Sequence, residues 1–238
     1  MKCINDNKTI LYSLILGMLL SGCAGLLGPD VKAGIEMSAS GDFKGALAHY
    51  ENIIQSGSAN AKVYRLAYES AFRSGKRITA KKYFDEAIKA GYDSDSLTNL
   101  ASELWYERAL MTMGQNAWEE AAKAAEMIQE LAPDSNPDKF CTLILAGKKK
   151  YERGAHKGLW DAISDYSNAA NYDPSSGLPY FLMGQARYKN ARDDYDAALE
   201  DYYNSLKVEP QGYFASQALE DIKKIEAVKK KMNAFWGK

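Results

Sequence analysis

Histidine and cysteine, the residues that supply many metal ligands and nucleophiles, are scarce in this chain. Only two histidines and three cysteines occur among its 238 residues. His49 and His156 have no neighbour at a metal-ligand spacing such as His-Glu-x-x-His. Cys141 stands alone in the body of the chain, where a single cysteine usually packs as a small apolar residue. The sequence therefore predicts no metal site, no cofactor, no disulfide and no enzymatic activity.

The chain also lacks an excess of either charge. Its 30 Lys and Arg residues are balanced by 31 Asp and Glu residues, which gives a net charge of −1. A nucleic-acid binder usually shows a basic stripe and a high pI, because it must neutralise phosphates. No glycine-rich phosphate loop follows a strand either, since the sequence shows no strand pattern. Neither a nucleic acid nor a small-molecule substrate is therefore predicted as a partner.

A hydrophobic run long enough to cross a membrane is missing as well. The uncharged apolar run from about Thr9 to Leu20 falls short of the roughly 20 residues that a spanning helix needs. Lys2 and Lys8 precede this run and small residues follow it, which is the pattern of a secretory signal. The sequence therefore predicts an exported protein.

The four residues that end this run, Leu-Ser-Gly-Cys, resemble the bacterial lipobox. The resemblance implies that residues 1–22 are a lipoprotein signal peptide, that Cys23 becomes the lipidated N-terminus, and that residues 23–30 form a linker. A thiolate is nucleophilic enough to take up the lipid. Ala24, rather than Asp, follows the cysteine, which favours the periplasmic face of an outer membrane if the source is Gram-negative. An ordinary signal peptide and an uncleaved anchor are the alternatives.

What the chain does contain is a repeated helical pattern. After Asp30, Gly and Pro are confined to short connections, while Ala, Leu, Glu, Lys and Tyr fill the intervals. Five segments share a turn, an aromatic or apolar residue, an alanine, and an aromatic residue or alanine four positions later. Their alanines are Ala46, Ala80, Ala121, Ala162 and Ala198, spaced by 34, 41, 41 and 36 residues.

This pattern resembles the tetratricopeptide repeat, a helix–turn–helix unit of about 34 residues. Small residues such as Ala67, Gly147 and Gly184 stand where the two helices of a repeat approach closely, and a proline ends the second helix of repeats three to five. The resemblance covers residues 31–211 and implies an all-α fold, a right-handed superhelix of about five repeats. Residues 212–238 carry an apolar stripe at helical spacing and are expected to form a C-terminal capping helix.

Three of the repeats contain more residues than the family pattern requires. The extra residues lie around "GYDSDS" before repeat three, in "ERGAHKGLW" of repeat four and in "KNARDDYD" of repeat five. Gly, Asp and Ser clusters are typical of loops. We therefore expect lengthened loops at all three places.

The resemblance also predicts where a partner would bind, because the first helices of tetratricopeptide repeats line a concave groove. Aromatic rings beside Arg and Lys are side chains that anchor peptides and accept carboxylates. The alternative is that the rings pack between repeats and the cations are merely solvated. No first helix has an Asn in its middle, so the carboxylate-binding mode of chaperone-binding members is not supported. The predicted partner-binding residues are Arg65, Phe72, Arg73, Tyr106, Lys148, Tyr151, Phe181, Tyr188 and Lys189.

These features together predict a non-catalytic, lipid-anchored scaffold that binds a partner protein at the bacterial envelope. It is similar in plan to the tetratricopeptide lipoproteins of pilus secretin assembly and of outer-membrane barrel assembly. The alternative function is a recruiter or regulator of envelope polysaccharide or peptidoglycan machinery. A second candidate surface is the basic C-terminal segment around Lys230 and Phe235, which could meet anionic lipid or an acidic partner. A solvated capping helix explains the same lysines.

Overall fold

The computed structural model describes residues 29–154, 156–191 and 195–236, and all regular structure in these ranges is α-helical. Eleven helices lie in the described part of the chain. In chain order they are α1 (Pro29–Ala39), α2 (Phe43–Gln55), α3 (Ala61–Arg73), α4 (Arg77–Lys89), α5 (Ser94–Gly114), α6 (Trp118–Leu131), α7 (Asn136–Arg153), α8 (His156–Ala169), α9 (Leu178–Asn190), α10 (Asp196–Val208) and α11 (Ala215–Trp236).

Consecutive helices pack as helix–turn–helix units. The pairs α1–α2, α3–α4, α7–α8 and α9–α10 are in contact, and α11 packs on α10. Buried residues of α5 and α6, among them Ala109 and Ala121, belong to one apolar cluster. The predicted all-helical fold of successive helical hairpins is therefore confirmed. No helix in the described ranges combines the length and apolarity that crossing a bilayer would require.

The described helices fall into two compact units that divide within α5, the first ending at Leu100 and the second beginning at Ala101. Each unit has an apolar core of its own. The largest buried side chains of the first unit include Leu47, Tyr50 and Leu97. Those of the second include Phe140, Tyr166 and Tyr202. The aromatic positions of the repeat pattern thus become core residues in both units.

A close contact between a glycine and a tyrosine joins the two helices of three hairpins. A Cβ atom added at Gly147 would lie 2.5 Å from the Tyr166 ring, and one added at Gly184 would lie 3.0 Å from the Tyr202 ring. The same contact occurs between Gly34 and the Tyr50 ring, at 2.5 Å. A Cβ atom at Gly34 or Gly147 would overlap the buried ring, and one at Gly184 would press against it. These small residues therefore fix how closely the paired helices approach.

Ion pairs also join the paired helices of the second unit. The Lys150 ammonium lies 2.6 Å from the Asp165 carboxylate, between α7 and α8. The Arg187 guanidinium lies 2.7 Å from the Asp201 carboxylate, between α9 and α10. Burial raises the pKa of Asp201, and the neighbouring Arg187 charge opposes that shift. The Arg187 charge therefore offsets part of the cost of burying this carboxylate.

The expectation of lengthened loops is wrong at two of the three places. In repeat three the extra residues belong to α5, which has 21 residues. At the start of this helix the Asp93 carboxylate accepts a hydrogen bond of 2.8 Å from the Ser96 N–H. In repeat four they extend α7 to 18 residues, and α8 begins only three residues after α7 ends. Polar side chains near a helix start satisfy free N–H groups, so they can begin a helix instead of forming a loop.

The other predicted segments lie only partly within the described residues. The connection in repeat five includes residues 192–194, which lie outside the described residues. The signal peptide over residues 1–22 and the lipid site at Cys23 also lie outside them. Of the predicted linker, residues 29 and 30 belong to α1. The predicted capping segment contains α11.

Candidate partner-binding surface

Three of the predicted binding residues lie on α3 in the first unit, and the two arginines among them flank an acidic side chain. The Glu69 carboxylate lies 3.1 Å from the Arg65 guanidinium and 3.3 Å from that of Arg73. The Arg73 guanidinium also lies 5.5 Å from the centre of the Phe43 ring. Phe72 is half-buried and contacts the Tyr68 ring edge-on. A partner carboxylate would therefore have to compete with Glu69 for both guanidinium groups.

In the second unit the structure brings Lys148, Tyr151 and Lys189 together. Two ammonium groups face the Tyr151 ring: that of Lys189 lies 4.3 Å from its centre and that of Lys148 lies 5.4 Å from it. Lys148 also lies 4.8 Å from the centre of the Trp118 ring. Such cation–π contacts hold the ammonium groups beside the rings without neutralising them, although the Lys148 ammonium also lies 3.4 Å from the Glu152 carboxylate. The side chains of α7 and α9 thus form a positively charged aromatic cluster.

Several of these residues line a shallow cleft of about 320 Å³. The cleft is lined by Tyr151, Gln185, Tyr188, Lys189, Tyr202 and Asp221. Tyr188 is exposed, and its ring lies 5.5 Å from that of Tyr195. The Tyr202 hydroxyl donates a hydrogen bond of 3.3 Å to the Asp221 carboxylate. The cleft therefore has lysine at one side, a carboxylate at another and aromatic walls between them.

The electrostatics of the cleft follow from its partial burial. Burial raises the pKa of the Tyr151 hydroxyl, and the Asp221 carboxylate adds to the shift. The same two causes raise the pKa of Tyr202. Both hydroxyls consequently stay protonated at neutral pH, and the charges at the cleft are those of Lys189 and Asp221. The Lys224 ammonium lies 3.2 Å from the Asp221 carboxylate and partly neutralises its negative charge.

Phe181 is not on this surface, contrary to the prediction. Its side chain is 2 % exposed, and its ring stacks on Phe214 at 5.1 Å between ring centres and contacts Tyr202 at 5.8 Å. The segment that leads into α11 supplies Phe214, so a position that faces a groove in the family pattern is covered in this chain. Phe181 is a core residue of the second unit.

Tyr106 can offer a partner only part of its side chain. Its hydroxyl donates a hydrogen bond of 2.6 Å to the Asp173 carboxylate, and its ring contacts Phe140 edge-on at 5.5 Å. Burial raises the pKa of Tyr106, and the hydrogen bond to Asp173 raises it further. Its polar group already has a partner within the second unit, so Tyr106 contributes an apolar edge rather than a hydrogen-bonding site.

Sequence reasoning missed three residues that shape the cluster and the cleft. Trp118 begins α6, a second helix, whereas the family pattern assigns the groove to first helices. Tyr202 and Asp221 belong to α10 and α11, which the family pattern does not assign to a groove. The sequence signal available for them was the aromatic and acidic residues of the neighbouring helices.

No chemistry beyond binding stands out in the described residues. Burial is the main cause that raises the pKa of the Cys141 thiol to about 12, with the nearby Asp138 charge adding to it. A thiol with that pKa stays protonated at neutral pH, and only the thiolate is a strong nucleophile. Within the described ranges no group of three or more His, Cys, Asp or Glu side chains is arranged to hold a metal ion.

Comparison with known proteins gave matches only among solved structures. No family model matches the sequence, and no curated protein matches it either. One similar structure is YrrB, described as a TPR protein with an unusual peptide-binding site. It is 18 % identical, with 86 % of this chain and 97 % of that chain covered and a TM-score of 0.41.

Two further similar structures have comparable values. TTC0263, a thermophilic TPR protein of Thermus thermophilus, is 13 % identical, with 83 % of this chain and 97 % of that chain covered and a TM-score of 0.41. The TPR2AB domain of yeast Sti1 in complex with pHSP90 is 15 % identical, with 93 % and 92 % covered and a TM-score of 0.34. Identities this low bear on helical architecture alone and assign no residue of a site.

Proposed function

We propose that the chain is a non-catalytic scaffold that binds an extended segment of a partner protein in the cleft of the second unit. The observation that carries this proposal is the half-buried Tyr151 ring, which lines the cleft and is faced by the ammonium groups of Lys148 and Lys189. Of the two lysines, Lys189 also lines the cleft. Aromatic residues that are held in place by their neighbours are the usual energetic centres of protein interfaces.

The arrangement favours a peptide over a compact small molecule. The cleft is shallow and is lined by side chains from α7, α9, α10 and α11, so it offers a surface rather than an enclosed cavity. Lys189 also donates a hydrogen bond to the Tyr151 carbonyl at 3.3 Å, which keeps its ammonium beside the ring. Because the site is largely preformed, binding costs little ordering of the scaffold. An acidic side chain of the partner would lie beside Lys189, and it would compete with Glu152 for Lys148.

The test is the affinity of the partner for Tyr151→Ala and for a matched aromatic control, Tyr203→Ala. The partner is obtained by affinity capture from detergent-solubilised membranes and then purified. Tyr203 lies on α10, is 49 % exposed, and is not among the residues that line the cleft. We expect Tyr151→Ala to weaken binding by about 2 kcal/mol, as for a hot spot, and Tyr203→Ala by under about 1 kcal/mol.

Both variants must keep the helical content and melting temperature of the wild type, because Tyr151 also packs within its unit. A triple Ala variant of Lys229, Lys230 and Lys231 tests the C-terminal alternative. If this variant loses binding while Tyr151→Ala does not, the basic segment of α11 is the docking element and the cleft is not.

We further propose that the scaffold is anchored at the bacterial envelope by lipid on Cys23. The support is the Leu20 to Cys23 tetrad after a short apolar run. The intact mass of the mature protein should correspond to residues 23–238 plus acyl chains, and Cys23→Ser should release the protein from membranes or stall its processing. An unacylated chain that begins elsewhere would contradict the anchor.

The role of the anchored scaffold depends on its partner. A pilus, secretin or barrel-assembly subunit captured by the cleft would support the assembly role. A glycosyltransferase or a cell-wall hydrolase would instead support recruitment to polysaccharide or peptidoglycan machinery. The Tyr151→Ala variant decides in either case whether the captured protein uses the cleft.

A further inference from the structure

The outward face of α4 in the first unit combines four cations with an almost fully exposed isoleucine. We call this set the α4 basic face: Lys76, Arg77, Ile78, Lys81 and Lys82. All five side chains are exposed, and Ile78 is 91 % exposed. At 3.6 residues per turn, the four members within the helix lie in an arc of about 140°. Ala80, Tyr83 and Ala87 on the other side are buried.

The core and the helix itself do not account for this face. Residues 76–82 contain four cations and no acid. Lys76, Lys81 and Lys82 form no salt bridge within the described ranges, although the Lys82 ammonium lies 5.5 Å from the centre of the Tyr83 ring. Farther along α4, Glu86 pairs with Lys89 at 2.9 Å. The first turns of a helix favour acidic side chains, so cations there do not stabilise α4. An isoleucine with 91 % of its surface in water gains nothing from folding.

We propose that the α4 basic face rests on an anionic lipid surface, with its lysines at the headgroup phosphates and Ile78 inserted between them. Lysines spread around one apolar side chain match the diffuse negative charge of a bilayer surface. A protein carboxylate favours the fixed fork of donors that arginine supplies, whereas three of the four cations on this face are lysines. The inference rests on the proposed anchor in one respect, since lipid on Cys23 places α1 within about 20 Å of the membrane by extended chain length.

The experiment uses the full mature lipoprotein reconstituted into vesicles and treated briefly with a lysine-acylating reagent. Mass spectrometry reads the modification of each lysine. Vesicles that contain phosphatidylglycerol are compared with vesicles of phosphatidylcholine alone. We expect modification of Lys76, Lys81 and Lys82 to fall by about three-fold or more on the anionic vesicles, and to return at high salt. Lys149 and Lys207, exposed residues of the second unit, should not change.

A matched pair of variants tests the same point. In the variant that combines Lys81→Glu with Lys82→Glu, Lys76 should remain fully reactive on anionic vesicles. In the control that combines Lys149→Glu with Lys207→Glu, Lys76 should remain protected, as in the wild type. Equal modification on both kinds of vesicle, or equal protection of Lys149 and Lys207, would overturn the proposal. Protection of the face by a captured membrane protein but not by phosphatidylglycerol would also overturn it and assign the face to an acidic protein.

Failure of this inference is distinguishable from failure of the proposed function. The intact mass of the same sample reports whether Cys23 is acylated. The affinity of the Tyr151→Ala variant reports whether the cleft binds a partner. The modification of Lys76, Lys81 and Lys82 reports only where the α4 basic face lies.

Discussion

Tyr166 and Tyr202 occupy equivalent positions in two successive hairpins, but their hydroxyl groups differ in partners. The Tyr202 hydroxyl donates to Asp221 at 3.3 Å. The Tyr166 hydroxyl is buried and has no hydrogen-bond partner among the described residues. Burial of a hydroxyl without a hydrogen-bond partner lowers the stability of the folded state, and so does the loss of a hydrogen bond that is already formed. The two hydroxyls should therefore affect stability in opposite directions.

We predict that Tyr166→Phe leaves the free energy of unfolding unchanged or raises it, while Tyr202→Phe lowers it by about 0.5–1.5 kcal/mol. The packing contacts of the rings against Gly147 and Gly184 are the same for Phe and Tyr, so the comparison isolates the hydroxyl. Urea unfolding of both variants measures the difference. The assignment is wrong if Tyr166→Phe is the more destabilised of the two.

A second prediction concerns the thiol of Cys141, which is buried with a pKa of about 12. Iodoacetamide at about pH 8 should leave Cys141 unmodified in the folded protein and should modify it after unfolding in urea, because only the accessible thiolate reacts. Peptide mapping separates Cys141 from the other cysteines. Equally fast modification of Cys141 in the folded and unfolded protein would contradict its burial.

The candidate site shows what residue positions in a sequence can and cannot predict. The spacing on first helices selected Lys148, Tyr151, Tyr188 and Lys189, which the structure places near one another, and their role in partner binding stays a prediction. The spacing selected Phe181 too, because the position of a residue on its own helix does not reveal that Phe214 covers it. The burial of Phe181 depends on the path of the segment before α11, which carries Phe214. The spacing of the repeats does not predict that path.

At the scale of whole elements, α9 and α10 approach each other through small residues. Ala198 is buried in this interface, and Ala197 beside it is exposed. We predict that Ala198→Leu overpacks the interface and costs roughly 1 to 3 kcal/mol. Ala197→Leu makes the same chemical change at the surface and should alter stability by less than about 0.5 kcal/mol.

Thermal or urea unfolding of the two leucine variants gives the comparison directly. Circular dichroism must first show that both variants keep their helical content. Equal midpoints for Ala198→Leu and Ala197→Leu would refute the assigned pairing of α9 with α10. The pair is a test of helix register because the two sites are adjacent in sequence and differ only in the side of the helix on which they lie.

The lengths of the elements were less predictable than their existence. Counting residues between repeat alanines reveals that repeats three and four have extra residues, but not whether these form a loop or extend a helix. In repeat three, Asp93 accepts the Ser96 N–H and the "SDS" segment becomes the first turn of α5. The choice depends on local hydrogen bonds whose energies are small compared with those of core packing.

At the scale of the whole molecule, the all-helical repeat fold was predictable because each repeat restates the same pattern of small and aromatic residues. The division of the described helices into two units was not. It falls within α5, between Leu100 and Ala101, where the helical pattern of the sequence continues without a break. A boundary of this kind reflects which contacts form, not which residues favour helix.

Both units carry buried groups that hold their protons in the folded state, which predicts a loss of stability in alkali. Burial is the main cause that raises the pKa of Tyr50 to about 12 and that of Cys141 to about 12. In the unfolded chain these groups ionise at about pH 10 and about pH 8.5. Between those values and about pH 12 the folded protein binds more protons than the unfolded chain, so stability falls as pH rises.

The measurement is the urea midpoint at several pH values. We expect the midpoint to fall steadily from about pH 9 towards about pH 12 as the folded state loses its advantage. Absorbance at alkaline pH should show the buried tyrosines ionising together with unfolding. A midpoint that stays constant across this range would show that the tyrosines and the thiol are not held neutral by burial.

The glycine–tyrosine contacts have a consequence for the speed with which the chain reaches its structure. Gly34 and Tyr50 are 16 residues apart, Gly147 and Tyr166 are 19 apart, and Gly184 and Tyr202 are 18 apart. Contacts between such near neighbours need only short loops to close, and helical proteins built from local contacts fold within microseconds to milliseconds. Each of these hairpins can therefore form as soon as its own stretch of chain is free, without waiting for distant segments to meet.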